Sequence, residues 1–229
     1  MNIIINGGTR GIGREIVVYL AGNNLNNIIV TGRDEKSLKS LSDRYMNVHA
    51  LAIDLSVFET QSEMFINAVL RHFKHVDILI NVAGNLVAKE FIKTGNDEAR
   101  LMMETNFFGP ASVIKILKPY MTAGSHIVNI TSMGGFQGSS KYKGLSYYSA
   151  SKAALACLTE CLATEFSESG IKVNCLALGA VQTEMLAEAF PGYQAPVAAA
   201  EMGEFIAEFA LKGHKLFNGK ILPVAVSNP

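Results

Sequence analysis

The chain has 229 residues, 49% of them hydrophobic, and its 20 basic and 20 acidic side chains cancel to a formal charge of zero. That length suits one α/β domain, 1–229, with enough interior to need no disulfide or metal staple. The missing basic excess argues against a nucleic-acid binder, the 17% charged fraction against long disordered tracts, and the lack of any apolar run near ~18 residues against a membrane span.

Taken in chain order, Met1-Asn2-Ile3-Ile4-Ile5-Asn6 lacks the basic region and cleavage site of a signal peptide and reads as a first strand. The pattern predicts strands at 2–6, 28–31, 48–53, 76–81, 125–131, 172–177 and 220–226. Helices are expected near 12–22, 35–44, 57–74, 97–120, 147–168 and 198–212. Runs such as Ile3-Ile4-Ile5 and Ile78-Leu79-Ile80 are apolar on both faces, as buried parallel strands require. Strict alternation of strand and helix gives a doubly wound, Rossmann-type parallel sheet of about seven strands, with helices on both faces. The Gly- and Ser-rich stretch 131–146 and the irregular stretch 183–196 are the loops suited to a site. Three cysteines without a C-x-x-C pair suit a reducing cytoplasm. Cys157 and Cys161, four apart on one helical face, are expected as core thiols beside Cys175, and the five scattered histidines assign no metal site.

Two groups of residues carry chemistry. The first is Asn6-Gly7-Gly8-Thr9-Arg10-Gly11-Ile12-Gly13, between the first strand and the first helix. Glycines at 7, 11 and 13 allow a tight turn and close approach of backbone to a ligand. The free N–H groups of a helix start suit a pyrophosphate. The second is Tyr148-Ser149-Ala150-Ser151-Lys152, which sets a phenol and an ammonium one helical turn apart. A nearby ammonium is expected to bring the tyrosine down from about 10 toward the range useful for acid–base work. Upstream, Ser132 at a strand end is placed to donate its hydroxyl to a carbonyl oxygen. Asn106 precedes Pro110 by four residues, and that proline is expected to open the helix at the carbonyl of residue 106.

Together these motifs resemble the classical short-chain dehydrogenases/reductases, over essentially the whole chain. The family's T-G-x-x-x-G-I-G appears as N-G-G-T-R-G-I-G, with Asn6 for the usual threonine; its side chain is expected to bond nearby backbone and alter only loop detail. The resemblance implies a catalytic tetrad of Asn106, Ser132, Tyr148 and Lys152, with Tyr148 as general acid/base. Tyr147 is a rival without a lysine four residues on. The resemblance further implies a cofactor site of Gly7, Thr9, Arg10, Gly11, Ile12 and Gly13; Arg33; Asp54 and Leu55 at the adenine edge; Asn81, Ala83 and Gly84 in place of the family's N-N-A-G; and Tyr148 and Lys152. Asp54 has helix capping as its alternative role, and Asn81-Val82-Ala83-Gly84 that of a supporting turn. Arg10 and Arg33 favour a 2′-phosphate, hence NADP(H), while Asp34 beside Arg33 keeps NAD(H) as the less favoured alternative.

The departures are two. The family's N-x-x-x-P-G-x-x-x-T appears with Leu178 for the proline, leaving Gly179, Val181 and Thr183 as candidates near the nicotinamide. The end of the chain lacks V-D-G-G. Substrate contacts are expected from Ser132, Met133, Phe136, Tyr148, Met185 and Tyr193, lining an apolar pocket. The expected activity is hydride transfer between nicotinamide and a carbonyl or secondary alcohol. A 3-oxoacyl carrier-protein reductase is a narrower alternative, and a non-catalytic NADP-binding sensor a different class. The resemblance implies a cytoplasmic homodimer or homotetramer acting on a small molecule. Its surplus apolar stripe would be Leu101, Met102, Phe108, Leu155, Leu158 and Leu162 on the helices at 97–120 and 147–168, with no nucleic-acid or membrane partner.

Overall fold

The structure, a computed structural model, describes residues 1–226. Chain order is β1 (Asn2–Asn6), α1 (Gly11–Ala21), β2 (Asn27–Gly32), α2 (Glu35–Arg44), β3 (Val48–Ala52), α3 (Phe58–His72), β4 (Ile78–Asn81), α4 (Asn96–Met103), α5 (Gly109–Leu117), β5 (His126–Ser132), α6 (Ser146–Glu165), β6 (Lys172–Leu178), β7 (Val181–Gln182), α7 (Glu184–Ala189), β8 (Val197–Ala198), α8 (Ala199–Lys212) and β9 (Ile221–Val224). Seven strands form one parallel sheet in the order β3-β2-β1-β4-β5-β6-β9. The order reverses between β1 and β4, which opens a crevice beyond their C-terminal ends.

Period-two alternation divides the interior. Ile3 and Ile5 face one core with Ile28, Val30, Ile78 and Ile80, against α1 and α8. Ile4 faces the other with Ile29, Leu79, Ile127 and Val173, against α3 and α5. The sheet is therefore covered on both sides, as expected.

Four features differ from the sequence expectation. The helix expected at 97–120 is four pieces: α4, a π-helical turn at Glu104–Phe108, α5, and a 3-10 turn at Lys118–Tyr120. Pro110 has no N–H to give the carbonyl of Asn106, and Gly109 N–H bonds back to Glu104 O instead. The stretch 183–196 is not wholly irregular, because it holds α7 and leads into a small parallel pair, β7 and β8. Cys157 and Cys161 are exposed on α6, and only Cys175 is in the core. Small and polar neighbours (Ala150, Glu160, Thr164) share that outward face. The apolar stripe also divides: Met102 and Leu155 are buried within the chain, while Leu101 and Phe108 are exposed. The last residues of the chain, 227–229, lie outside the described residues.

His126, fully buried on β5, donates through Nδ1 to Ala210 O at 2.9 Å and accepts at Nε2 from Asn174 at 3.0 Å. Burial pushes its pKa down to about 4 from 6.5. The fold thus favours the neutral ring, so this stabilisation is full above pH 6.5 and is lost as pH falls toward 4. The loss over that window is about 3 kcal/mol. Urea unfolding between pH 7 and about pH 4.5 is expected to show this slope, and His126→Gln to flatten it. Equal slopes for the two chains would contradict the assignment.

Candidate active site

The glycine loop joins β1 to α1. Gly7 has φ +94°, and a Cβ on Gly13 would lie 2.0 Å from Gly7 O, so only glycine lets α1 start against the turn before it. No side chain caps the start of α1 and its first turn has no acidic residue, which leaves its N–H groups for a ligand.

A cavity of ≈ 500 Å³ runs along the strand ends. It takes in Gly7, Thr9, Arg10, Gly11, Ile12 and Gly13 of the loop, and Arg33, Asp54, Leu55, Ala83 and Gly84 beyond β2, β3 and β4. Farther along it takes in Ser132, Met133, Tyr148 and Lys152, then Gly179, Val181, Thr183, Met185 and Tyr193. Three expected residues do not line it: Asn81, Asn106 and Phe136. The segment after Met133 folds back on itself, with Ser139 Oγ donating to Met133 O and Phe136 O and Lys141 Nζ to Phe136 O. Tyr142 and Leu145 line the cavity from that segment instead, joined by Leu86, Leu186 and Phe190. Both stretches, 131–146 and 183–196, were expected to form a site, but with no periodic signal in them the sequence did not tell which of their side chains would face the cavity. Tyr147 stacks on Phe91 with ring centroids 5.3 Å apart, outside the cavity, so of these two adjacent tyrosines it is Tyr148 that lines it.

Asn81 lies under the cavity floor in a buried chain of side-chain hydrogen bonds. Thr31 Oγ1 donates to Asn6 Oδ1 (2.9 Å), Asn6 Nδ2 to Asn81 Oδ1 (2.7 Å), Asn81 Nδ2 to Asn129 Oδ1 (2.8 Å) and Asn129 Nδ2 to Thr159 Oγ1 (2.9 Å). Asn6 therefore bonds side chains on both neighbouring strands, not loop backbone as expected. Asn106, in the π-helical turn, is also fully buried. Its amide clamps Asn85, accepting from N–H at 2.7 Å and donating to the carbonyl at 2.9 Å, and also donates to Ser151 Oγ at 2.9 Å. Asn106 thus positions the chain after Gly84 and the first turns of α6.

Ser132 ends β5, and its Oγ accepts from Gly134 N–H at 3.2 Å. A Cβ on Gly135 would lie 2.7 Å from Ala153 N, so this glycine lets the turn after Ser132 press on α6 and bring Ser132 to Tyr148. Lys152 Nζ donates to Ile130 O at 3.0 Å and lies 5.9 Å from the Tyr148 ring centre. Burial pushes Tyr148 up to about 12, partly offset by a hydrogen bond with Ser132. Burial also pushes Lys152 down to about 8. The expectation that Lys152 brings Tyr148 below its ordinary value is not met in this geometry: loss of solvent sets the direction, and only the Ser132 bond opposes it.

The charged groups are already paired. Arg10 meets Glu188 of α7 at 2.8 Å, and Arg33 stands 4.0 Å from Asp54. Asp54 Oδ1 accepts from Ser56 N–H and Oγ–H, so its capping role is realised at the cavity wall. Asp34 Oδ1 accepts from Lys36 and Ser37 N–H and caps α2. At Leu178, where the family has proline, pairing of Leu178 with Val224 and the bond from Gly179 N–H to Val224 O hold the backbone.

The short chain dehydrogenase family model matches residues 1–194. The chain is an oxidoreductase of the short-chain dehydrogenase/reductase family. It is 29% identical over 185 residues to an uncharacterized oxidoreductase of Staphylococcus epidermidis, covering 80% of this chain and 78% of that one. It is 34% identical over 204 residues to dehydrogenase/reductase SDR family member 7B of Xenopus tropicalis, covering 83% of this chain and 64% of that protein, so it spans less than two thirds of that relative. Among solved structures it resembles a short-chain dehydrogenase/reductase of Brucella melitensis, with TM-score 0.88, 21% identity and coverage of 98% and 94%. It also resembles ElxO with NADP bound, with TM-score 0.83, 26% identity and coverage of 98% and 96%. A third likeness is 4-hydroxyisoleucine dehydrogenase complexed with NADH, with TM-score 0.86, 23% identity and coverage of 98% and 96%. No helix among the described residues is long and apolar enough to cross a membrane.

The residues present fit a nicotinamide dinucleotide. The loop at Gly7 and Gly13 has no room for a Cβ, and the start of α1 is uncapped. Thr105 Oγ1 is buried beside the cavity with no partner among the described residues.

Asn129→Ala would orphan Asn81 Nδ2 and leave Thr159 without its donor. Each orphaned group is expected to cost about 1–3 kcal/mol, read as a lower urea midpoint. An unchanged midpoint would contradict a structural role for the buried chain.

Proposed function

We propose that the chain interconverts a carbonyl compound and its alcohol with NADP(H), the whole of 1–229 acting as one domain. The observation that carries this reading is that Ser132, Tyr148 and Lys152 share a single cavity with the glycine loop. The loop N–H groups and the start of α1 hold the pyrophosphate, Asp54 and Leu55 flank the adenine, and Asn81 supports Ala83 and Gly84 from beneath. Gly179, Val181 and Thr183 hold the nicotinamide end, and Lys152 the adjoining ribose. When bound, the nicotinamide supplies or accepts the hydride.

Ser132 donates its hydroxyl to the carbonyl oxygen, and Tyr148 donates the proton that completes the alcohol. A phenol pushed up to about 12 is fully protonated at neutral pH, so it is ready as the acid for reduction. In oxidation Tyr148 must first lose its proton, so that direction gains as pH rises. Lys152, pushed down to about 8, carries its charge at neutral pH and loses it in the alkaline range.

The NADP(H) preference rests on Arg10 and Arg33 at the cavity wall and on the commitment of Asp34 to the start of α2. With Asp34 Oδ1 held at the start of α2 by two N–H groups, that carboxylate is anchored to the helix, and the neighbouring Arg33 guanidinium is the group offered to a 2′-phosphate. The solved likenesses hold either dinucleotide, ElxO with NADP and 4-hydroxyisoleucine dehydrogenase with NADH, so the choice rests on the arginines. Assembly into a homodimer or homotetramer belongs to the same reading, with exposed Leu101 and Phe108 as apolar contact surface, as does a cytoplasmic setting.

Purified chain is expected to consume NADPH with members of a ketone and aldehyde panel, followed by nicotinamide absorbance. Tyr148→Phe is expected to lower kcat by about 10²–10⁴-fold while NADPH still binds. NADPH binding without any turnover, or an unchanged rate in the variant, would favour a non-catalytic sensor. Arg33→Asp is expected to weaken NADPH by roughly 10–100-fold, the worth of a charge-assisted contact, and NADH far less. Equal losses would sink the 2′-phosphate assignment.

A further inference from the structure

From the distribution of charge along the cavity we infer that the substrate is an uncharged, apolar aldehyde or ketone carrying a bulky aryl or branched alkyl group, and not a keto acid or a carrier-bound acyl chain. The inference rests on the carbonyl-reductase reading above and deepens it.

The cavity has two chemically distinct ends. The charged lining residues are Arg10, Arg33, Asp54, Lys152 and Glu184. Arg33 follows the end of β2, and Ser132 ends β5. In the order β2-β1-β4-β5 that is three strand spacings, about 14 Å at about 4.8 Å each. Asp54 lies one strand farther still, beyond β3. Arg10 is neutralised by Glu188. Glu184 turns toward the glycine loop, its Oε2 lying 3.4 Å from where a Gly11 Cβ would stand. Lys152 is buried, with its ammonium on Ile130 O.

The reacting end is different. Ser132 and Tyr148 share the cavity with Leu86 and their chain neighbours Met133 and Leu145, and α7 and the segment after it add Met185, Phe190 and Tyr193 to its apolar lining. A carboxylate here would leave water, and the one cation beside Tyr148 is Lys152, whose ammonium is buried and held on Ile130 O; an uncharged group of the same shape escapes that desolvation. Two methionines let the wall adapt to irregular apolar shapes. Tyr142 and Tyr193, both about half exposed (46% and 49%), put aromatic rings between cavity and solvent, where a ring or branched chain can pack.

The lysines of the neighbouring loops do not offer a docking patch for an acidic carrier. Lys89 pairs with Glu98 at 3.0 Å, and Lys93 and Lys143 both pair with Glu90, at 2.8 and 3.0 Å. Lys141 is tied to Phe136 O and Ser139 Oγ of its own loop. A polyanionic partner would have to break these contacts before gaining any.

The test pairs neutral and charged versions of one skeleton, with NADPH as reductant: methyl 4-oxo-4-phenylbutanoate against 4-oxo-4-phenylbutanoate, within a wider panel of ketones and aldehydes each matched to its carboxylate. The neutral member of each reactive pair is expected to show kcat/KM at least tenfold higher. Calorimetry on the Tyr148→Phe chain is expected to show the same order in binding without turnover. Met185→Lys, a change at a partly exposed position, is expected to raise kcat/KM for the carboxylates at least tenfold and to lower it for the neutral partners. Equal use of both members, or preference for the carboxylate, would overturn the inference while leaving carbonyl reduction standing. A panel in which no member of either kind reacts would instead overturn the parent reading, and the inference with it.

Discussion

Five buried side chains hand hydrogen bonds across the sheet, from Thr31 through Asn6, Asn81 and Asn129 to Thr159, and the site is built on that line. Each amide both donates and accepts, so no member can shift by a residue without stranding buried polar atoms on both neighbours. The line coincides with the backbone register, where Asn6 pairs with Thr31 and Asn81, and Asn81 with Asn129. It fixes the relative heights of β2, β1, β4 and β5 at their C-terminal ends, where the glycine loop and Ser132 emerge. Its last bond leaves the sheet for α6, the helix that carries Lys152 about two turns away and Tyr148 about three. The acid–base pair is thereby held in register with the cradle.

The same enclosure governs the proton chemistry. Taking Tyr148 and Lys152 out of water moves them in opposite directions, each toward its uncharged form. For the proposed reduction a protonated phenol is the form required, so an apolar surround and that proposed role are compatible. Its place on Ile130 O, beside the strand that delivers Ser132, makes it a structural link as well as a charge.

Much of this was legible in the sequence, for reasons that differ by element. The strands announced themselves because parallel strands buried on both faces are continuous apolar runs, as in Ile3-Ile4-Ile5. The glycine loop did so because close approach leaves glycine no substitute at Gly13. Tyr148 and Lys152 were legible from helical spacing taken together with Ser132 and Asn106 upstream, since the spacing by itself is common. The interruption at Glu104–Phe108 was foreshadowed by Pro110, though its π-helical form depended on Gly109 finding Glu104 O. What escaped depended on tertiary context. Phe136 was preferred to Tyr142 because nothing in the spacing tells that Ser139 folds the loop back. Helix α7 is too short for a periodic signal. Asn6 was assigned to loop backbone because its partners, Thr31 and Asn81, lie far away in sequence. The direction of the Tyr148 shift also needed the fold, since it is set by burial, which spacing does not reveal.

The central claim is that this cavity passes a hydride to a carbonyl carbon while Tyr148 supplies the proton. The most direct measurement is isotope transfer: incubate the chain with NADPH carrying deuterium at the transferable position and a neutral aryl ketone, and analyse the alcohol by mass spectrometry. The account predicts an alcohol with one deuterium on the former carbonyl carbon, in a single configuration, formed by the native chain and not by Tyr148→Phe. Alcohol without deuterium, or labelled alcohol formed equally well by the variant, would contradict it.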